Sequence, residues 1–159
     1  MTERHTTGER FNELSILDHG VGQHPGFLGE CAFALWCMQR EVSFYWVGSD
    51  KGQIDFKIMS DRELTFDVKA KERNVEPRSE YDAHVKLQQK DYHCDAYVFV
   101  SVTRDKPTIM GWIPKKKFWE MATIMRKGQK DERGRPELVD CAKMKYADLY
   151  TMEALEQWL

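Results

Sequence analysis

The sequence predicts an α/β domain with a mixed, mainly antiparallel central sheet that is led by a β-hairpin and flanked by α-helices. Two alternating segments on either side of a polar turn indicate the hairpin. An apolar run at 26–38 indicates a buried helix, and a β-branched run at 96–102 indicates a strand buried on both faces. With 159 residues, 42% of them hydrophobic, the chain is expected to form one domain with a sizeable core.

The first 25 residues are predicted to form a helical arm and a linker. A helical stretch is expected at 9–17, followed by a segment that contains glycine, histidine and proline. This arm could cover a site or contact a second copy of the chain, and the sequence does not decide between the two. The amino end lacks the apolar stretch of a signal peptide, and no window reaches the length of a membrane span, so a cytoplasmic protein is expected.

The hairpin is predicted to place two aspartates on one face. Apolar residues alternate with polar residues at 53–58 and again at 64–71. If the turn is centred on Asp61, then Asp55 and Asp67 are each six positions from it and lie opposite each other. Side chains in opposite positions share a face, with Cβ atoms about 5 Å apart. A slip of one residue would separate the aspartates, so the hydrophobic pattern itself requires this register.

The two aspartates predict a divalent-metal site on the polar face of the hairpin. Carboxylates this close raise each other's pKa unless a cation lies between them. Mg²⁺ prefers oxygen ligands and often takes one or two carboxylates together with water and substrate phosphate. Lys69 shares the face of Asp67 and could orient a water or balance charge on a phosphate. The alternative is a solvated strand face, because Asp55-Phe56-Lys57 matches the same short pattern as Asp67-Val68-Lys69.

Glu30 interrupts the apolar helix predicted at 26–38. Every other position there is apolar or glycine, and the helical spacing predicts a buried face formed by Leu28, Ala32, Leu35 and Met38. A buried carboxylate without a partner is costly, and the residues one turn away from Glu30 are not cations. Glu30 is therefore predicted to be a third acid at the metal. The alternative is a glutamate near the helix start that the macrodipole stabilises.

The segment after the hairpin is predicted to form an amphipathic helix at 80–92. Gln88 precedes Tyr92 by four positions, so the two would share one side of that helix. An uncharged donor beside the hairpin would be suited to hold a phosphate oxygen or a metal-bound water. Further along, the sequence predicts a strand at 109–113 and helices at 118–125 and 151–159, the last capped by Thr151.

The charge pattern gives a mixed indication of nucleic-acid binding. The net charge is −2, whereas nucleic-acid binders usually have a basic balance. One basic cluster comprises Lys115, Lys116 and Lys117, and a second lies between 126 and 136 in an expected exposed, mobile loop. Either cluster could neutralise phosphates. The alternative is a solvated loop or turn, which is favoured for the second cluster because acidic residues dilute it.

The four cysteines indicate neither a disulfide framework nor a zinc site. They are scattered and form no C-x-x-C pair. Structural cysteines in a reducing compartment are expected.

The order of these features resembles the PD-(D/E)XK nuclease superfamily. The resemblance covers 26–102: a helix with Gly29-Glu30, a strand with Asp55, a strand with Asp67-Val68-Lys69, and a helix with Gln88 and Tyr92. The chain departs from the superfamily pattern at Ile54, where a proline usually precedes the first acid. The resemblance implies a restriction-endonuclease-like core within a single nuclease domain at 1–159. That domain would comprise the arm at 1–25, a catalytic core at 26–126, and a mobile basic loop with a terminal helix at 127–159.

The resemblance also implies roles for individual residues. Asp55 and Asp67 would hold Mg²⁺, for which Mn²⁺ could substitute, with Glu30 as the helix acid. Lys69 would serve the nucleophilic water, and Gln88 would complete the site as in the RecB-like exonuclease branch. The residues expected to contact nucleic acid are Tyr92, Lys71, Lys115, Lys116 and Lys117.

The expected activity is Mg²⁺-dependent hydrolysis of DNA, with an endonuclease favoured, in phage or bacterial DNA processing, recombination or repair. An enzyme of this size that cuts both strands would need two sites and hence a homodimer, and a protein partner could supply targeting. No membrane partner is expected. The alternatives are a non-catalytic nucleic-acid-binding or assembly protein with the same fold, and a nuclease directed at RNA.

Overall fold

The computed structural model describes residues 3–5, 25–47 and 54–159, the first of these segments by its backbone alone. The helix predicted at 9–17 lies outside the described residues. The strands are β1 (Glu3–His5), β2 (Phe44–Val47), β3 (Phe56–Met59), β4 (Glu63–Arg73), β5 (Asp82–Lys86), β6 (Ala96–Thr103), β7 (Lys106–Pro114), β8 (Thr123–Met125) and β9 (Cys141–Lys145). The α-helices are α1 (Pro25–Gln39), α2 (Lys115–Met121) and α3 (Met152–Trp158). These elements confirm the α/β class.

The central sheet has six strands in the order β1-β2-β3-β4-β6-β7. The β4–β6 pair is parallel and the other pairs are antiparallel, which confirms the predicted mixed, mainly antiparallel sheet. In the β3–β4 hairpin Phe56 lies opposite Phe66 and Ile58 lies opposite Leu64. This is the register that the alternation predicts.

Two layers cover this sheet, and only one of them consists of helices. On one face α1 and α3 pack against residues of β6 such as Val98 and Val100. On the other face a small three-stranded sheet, β5-β9-β8, together with α2, covers Tyr97 and Phe99. Flanking helices were predicted for the whole sheet, and this prediction is confirmed for one face. Because successive side chains of a strand point to opposite faces, β6 contributes to both cores.

The prediction of a helix at 80–92 is wrong. This segment forms β5, and a single 3₁₀ turn follows at Leu87–Gln89. Ala83 and Val85, which alternate with polar residues, are buried. The segment is a strand because it pairs with β9, which lies more than fifty positions later in the chain. The helix predicted at 118–125 begins earlier and ends at Met121.

The part of the chain at 115–159 also differs from prediction. The three lysines at 115–117 form the first turn of α2, which begins before the helix predicted at 118–125. The segment at 127–159 supplies β9 in addition to the terminal helix, whose predicted cap is confirmed by the Ala154 N–H, which donates to Thr151 Oγ1 (3.3 Å). The predicted loop is mostly exposed and is closed at its neck, where the Gly128 N–H donates to the carbonyl of Glu137.

Helix α1 buries only part of the predicted face. Leu28, Ala32 and Met38 are partly buried and pack against the core, whereas Leu35 is 43% exposed. The buried side chains are Phe27, Cys31, Phe33, Ala34, Trp36 and Cys37. A helix that is apolar on every side carries no periodic information about which side faces the core.

Gly29 allows α1 to approach β4 closely. A Cβ built at this position would lie 2.8 Å from the Cβ of Ala70, closer than packed carbon atoms allow. We expect Gly29→Ala to lower the free energy of unfolding by about 1–2 kcal/mol, because overpacking outweighs the gain in helix propensity. Chemical denaturation measures the change.

The exchange of the two residues is the matched control for this prediction. In Gly29→Ala/Ala70→Gly the nearest contact is removed, and the added Cβ meets Val68 and Val100 at 3.4 and 3.5 Å. We expect most of the lost stability to return. Wild-type stability in the single variant would contradict the close approach.

Two sequence expectations concern the whole chain. All four cysteines are free and buried, as expected for structural cysteines. Within the described ranges, no helix is both long enough and apolar enough to cross a membrane.

Candidate metal centre

Three carboxylates converge where α1, β3 and β4 meet. Asp55 immediately precedes β3, Asp67 lies on β4, and Glu30 projects from α1. The charges of Glu30 and Asp67 both act on the carboxyl group of Asp55, so the three groups lie close together. The structure thus brings together the three acids that the sequence selects.

The two aspartates are more buried than expected. Asp55 is 8% exposed and Asp67 is 6% exposed, although the hairpin pattern predicts that both lie on a polar face. The small sheet and α2 cover this face of the central sheet, and the sequence pattern of the hairpin contains no information about that cover. The candidate site is therefore partly withdrawn from solvent.

Backbone groups hold Asp55 in place. Its N–H donates to the carbonyl of Phe66 (2.9 Å), and its carbonyl accepts from the N–H of Val47 (2.8 Å), so the residue is tied to both neighbouring strands. Its Oδ2 accepts a 2.7 Å hydrogen bond from the Val68 N–H. The side chain is thereby directed toward the segment that carries Asp67.

Trp46 orients Glu30. The indole Nε1–H of Trp46 on β2 donates to Glu30 Oε1 at 2.9 Å. Trp46 also stacks on Phe27 of α1, with ring centroids 5.7 Å apart. The sequence analysis did not identify Trp46, because a single aromatic residue in a strand gives no indication of a polar role.

Burial and mutual repulsion disfavour the charged forms of two of these acids. Burial raises the pKa of Glu30 to about 7, the nearby Asp67 adds to the increase, and the Trp46 hydrogen bond opposes it. The pKa of Asp55 is raised well above its usual range, mainly by burial and then by the charges of Glu30 and Asp67. Without a cation, protons therefore occupy part of this site near neutral pH.

Lys69 lies beside the acids as predicted. Its Nζ is 2.7 Å from Asp67 Oδ2 and donates a 2.9 Å hydrogen bond to Gln89 Oε1. The side chain is 16% exposed, and its two partners position the ammonium group at the edge of the carboxylate cluster. Such a group can donate hydrogen bonds to a water or to an anionic substrate.

Gln89 occupies the position beside Lys69 that the sequence analysis gave to Gln88. Gln88 is exposed, and Gln89 in the 3₁₀ turn contacts the lysine. The helical spacing used to pair Gln88 with Tyr92 does not apply, since this segment is not an α-helix. Gln89 was present in the sequence next to Gln88. It was passed over because the α-helical spacing of four residues was applied to a segment that is not an α-helix.

The residues expected to bind nucleic acid are distributed over two regions. Lys71 follows Lys69 by two positions on the same face of β4, and both line a cleft. Lys115 donates through Nζ to the carbonyl of Tyr92, so these two residues support each other structurally. Lys116 and Lys117 are exposed at the start of α2.

A cleft of about 760 Å³ opens beside Lys69, and its described lining residues include none of the three acids. The start of α1, Lys69 and Lys71 of β4, and His84 of β5 form its inner surface, and the segment 136–139 forms its outer wall. Leu138 in that wall is 81% exposed. The cleft is large enough for part of an extended substrate to lie next to Lys69.

No family model, curated protein or solved structure gives a significant match to this chain. Its class and its activity are therefore proposals that rest on the residues and the geometry described above.

Proposed function

We propose that this protein is a Mg²⁺-dependent DNA nuclease of the PD-(D/E)XK type, with Glu30, Asp55 and Asp67 as metal ligands and Lys69 as the catalytic cation. The observation that supports this most strongly is the convergence of three acids beside Lys69, a lysine that lines a cleft. Charged groups in this arrangement are costly unless a ligand compensates them.

The donor set matches a hard divalent cation. If all three acids are ionised, the cluster with Lys69 carries −3 + 1 = −2, which one divalent ion neutralises. Because the pKa values of Glu30 and Asp55 are raised, bound protons offset part of this negative charge in the protein alone. Carboxylate oxygens are preferred by Mg²⁺ and Mn²⁺.

Each residue would contribute a separate part of phosphodiester hydrolysis. When bound, the metal supplies a water of lowered pKa and neutralises charge on the phosphate. The Val68 N–H and Trp46 Nε1–H hold Asp55 and Glu30 in fixed orientations. Lys69, held between Asp67 and Gln89, can orient the attacking water and balance the negative charge that develops on the phosphate.

The cleft would receive the nucleic acid on the side of Lys69. Lys71 lies further along β4 and could bind the next phosphate, since residues two apart in a strand are about 6.6 Å apart. The exposed Lys116 and Lys117 could hold a more distant part of the backbone. Phosphate contacts of this kind position a substrate without reading its sequence.

The test is a cleavage panel that contains supercoiled plasmid, linear duplex, single-stranded DNA, a four-way junction and RNA. Each substrate is incubated with Mg²⁺, Mn²⁺ or EDTA, and wild type is compared with Asp67→Asn. We expect cleavage of DNA with either metal and none with EDTA or in the variant. Linear products from plasmid at the first step would indicate paired sites and hence a homodimer.

Other results would replace this proposal. Cutting of RNA alone would assign the activity to an RNA-directed nuclease. Metal-supported binding of DNA without any cutting would indicate a non-catalytic nucleic-acid-binding protein. Cleavage that is unchanged in Asp67→Asn would show that the acids are not the active site.

Gln89 is expected to act through Lys69. Replacing Gln89 with alanine removes the 2.9 Å hydrogen bond that fixes the ammonium group, so we expect cleavage to slow about 10-fold with little change in the metal requirement. Single-turnover kinetics measure the change. Gln88→Ala is the adjacent control and should cleave at the wild-type rate, and equal effects of the two variants would contradict the role of Gln89.

A further inference from the structure

A second cluster of metal-binding side chains lies in the cleft wall and belongs to the small sheet. His84 is on β5, Cys141 begins β9, and Glu137 lies in the segment that precedes β9. Their ligand atoms all lie within 4.8 Å of one another. None of these residues is part of the carboxylate cluster at Glu30, Asp55 and Asp67.

The geometry of this cluster is close to that of a tetrahedral site. Glu137 Oε2 is 3.7 Å from Cys141 Sγ and 3.9 Å from His84 Nε2. Bonds of about 2.0–2.3 Å to a tetrahedral Zn²⁺ place ligand atoms roughly 3.3–3.8 Å apart. Side-chain movements below about 1 Å would therefore bring the three atoms to ligand distances.

The ligand atoms are available for a metal. His84 Nε2 is buried, and none of the described residues gives it a hydrogen-bond partner. Lys143 pairs with Glu137 through Oε1, which orients the carboxylate and leaves Oε2 toward the histidine and the cysteine.

We propose that His84, Glu137 and Cys141 form a transition-metal site of the zinc type, separate from the proposed magnesium centre. Imidazole nitrogen and thiolate sulfur favour Zn²⁺ over Mg²⁺, whereas the three acids favour Mg²⁺. The two sites are therefore expected to select different metals. On binding, the Cys141 thiol loses its proton to solvent, and the two anionic ligands balance the charge of the ion. All three residues are among those that line the cleft.

The site would connect the outer wall of the cleft to the small sheet. Glu137 adjoins Leu138 and Val139 of that wall, whereas His84 and Cys141 lie on the paired strands β5 and β9. A metal bound by all three would fix the position of the wall relative to Lys69. This role does not depend on the proposed nuclease activity.

Cobalt(II) titration of the metal-stripped full chain tests the site. With a large excess of Mg²⁺ present, one equivalent of Co²⁺ should produce tetrahedral absorption bands in the visible range and a thiolate-to-cobalt charge-transfer band in the ultraviolet. One equivalent of Zn²⁺ should then remove both. The absence of a charge-transfer band in wild type would overturn the proposal.

Variants separate this site from the other metal centre and from misfolding. Cys141→Ser should remove the charge-transfer band, and His84→Gln should weaken Co²⁺ binding about 10- to 100-fold. Cys94→Ser is the matched control, because Cys94 is a buried free cysteine that lies outside the site. Circular dichroism shows whether each variant is folded.

The outcome is independent of the nuclease proposal. Asp67→Asn should keep the full cobalt spectrum while losing cleavage, so either proposal can fail alone. Retention of the charge-transfer band in folded Cys141→Ser, or its loss in Asp67→Asn, would contradict the assignment.

Discussion

Replacement of Lys69 with methionine is expected to reduce cleavage by about 1,000-fold while Mg²⁺ or Mn²⁺ still binds. Methionine keeps the length of the side chain but removes the ammonium group that contacts Asp67 and Gln89. Loss of one group that stabilises developing charge typically costs a factor of about 10²–10³, and a charged group in a buried site lies at the upper end. Asp67→Asn should instead lose both cleavage and metal binding.

Single-turnover cleavage and calorimetric Mn²⁺ titration measure the two effects separately. Lys57→Met is a suitable control, because it removes the lysine of the other D-x-K match in the same hairpin. We expect this control to cleave normally. If Lys57→Met were as inactive as Lys69→Met, or if Lys69→Met retained activity, the assignment of Asp67 and Lys69 would be wrong.

Glu30→Gln is expected to make the metal-free protein more stable above pH 7. An unfolded glutamate titrates near pH 4.5, whereas burial raises the pKa of Glu30 to about 7 in the folded protein. Between these values the folded state holds a proton that the unfolded chain has lost, so stability decreases as pH rises from 4.5 to 7. Above pH 7 the free energy of unfolding stays lower by the full amount, about 3 kcal/mol.

Thermal unfolding of the two proteins at pH 8 in EDTA measures this loss. Glutamine keeps an acceptor for Trp46 and removes the charge, so we expect its Tm to lie about 6–12 °C above that of wild type. Near pH 4.5 the difference should disappear. His84 contributes a pH dependence of the opposite sign, because its pKa is lowered, but it contributes equally to both proteins and cancels.

Added Mg²⁺ should reverse the order of the two proteins. The ion binds only the folded state and stabilises it in proportion to its affinity for the acids, which Glu30→Gln weakens. Glu72→Gln, a change of an exposed acid on β4, should leave both curves near wild type. If wild type and Glu30→Gln had the same Tm at pH 8 in EDTA, the charge on buried Glu30 would not destabilise the folded protein, and the prediction would be wrong.

The hairpin and its acids could be predicted because the relevant information is local. Alternation over a few residues determines the register that pairs Phe56 with Phe66, the neighbours of Asp55 and Asp67. A single acid in the apolar run at 26–38 identifies Glu30. The structure brings these residues together with Lys69. Short-range periodicity was sufficient since the two strands are adjacent in the chain.

The small sheet could not be predicted from such patterns. Tyr81, Ala83, Val85 and Leu87 alternate with polar residues, which is a strand pattern, but Glu80 to Tyr92 also fits a helix when taken alone. The decisive contact is the pairing of β5 with β9, which lies far along the chain. Because this segment was predicted as a helix, three features could not be foreseen. They are the contact of Gln89 with Lys69, the burial of the two aspartates, and the approach of His84 to Cys141.

The closed neck of the segment at 128–137 has a consequence for how this fold can diverge. Because hydrogen bonds between Gly128 and Glu137 and between Glu137 and Gln129 join its two ends, residues can be inserted beyond the neck without moving β8 or β9. Doubling the length of a loop costs only about 0.6 kcal/mol of closure entropy. Descendants of this protein could therefore exchange the tip for longer or differently charged segments while retaining the buried acids, and so acquire new substrates by insertion.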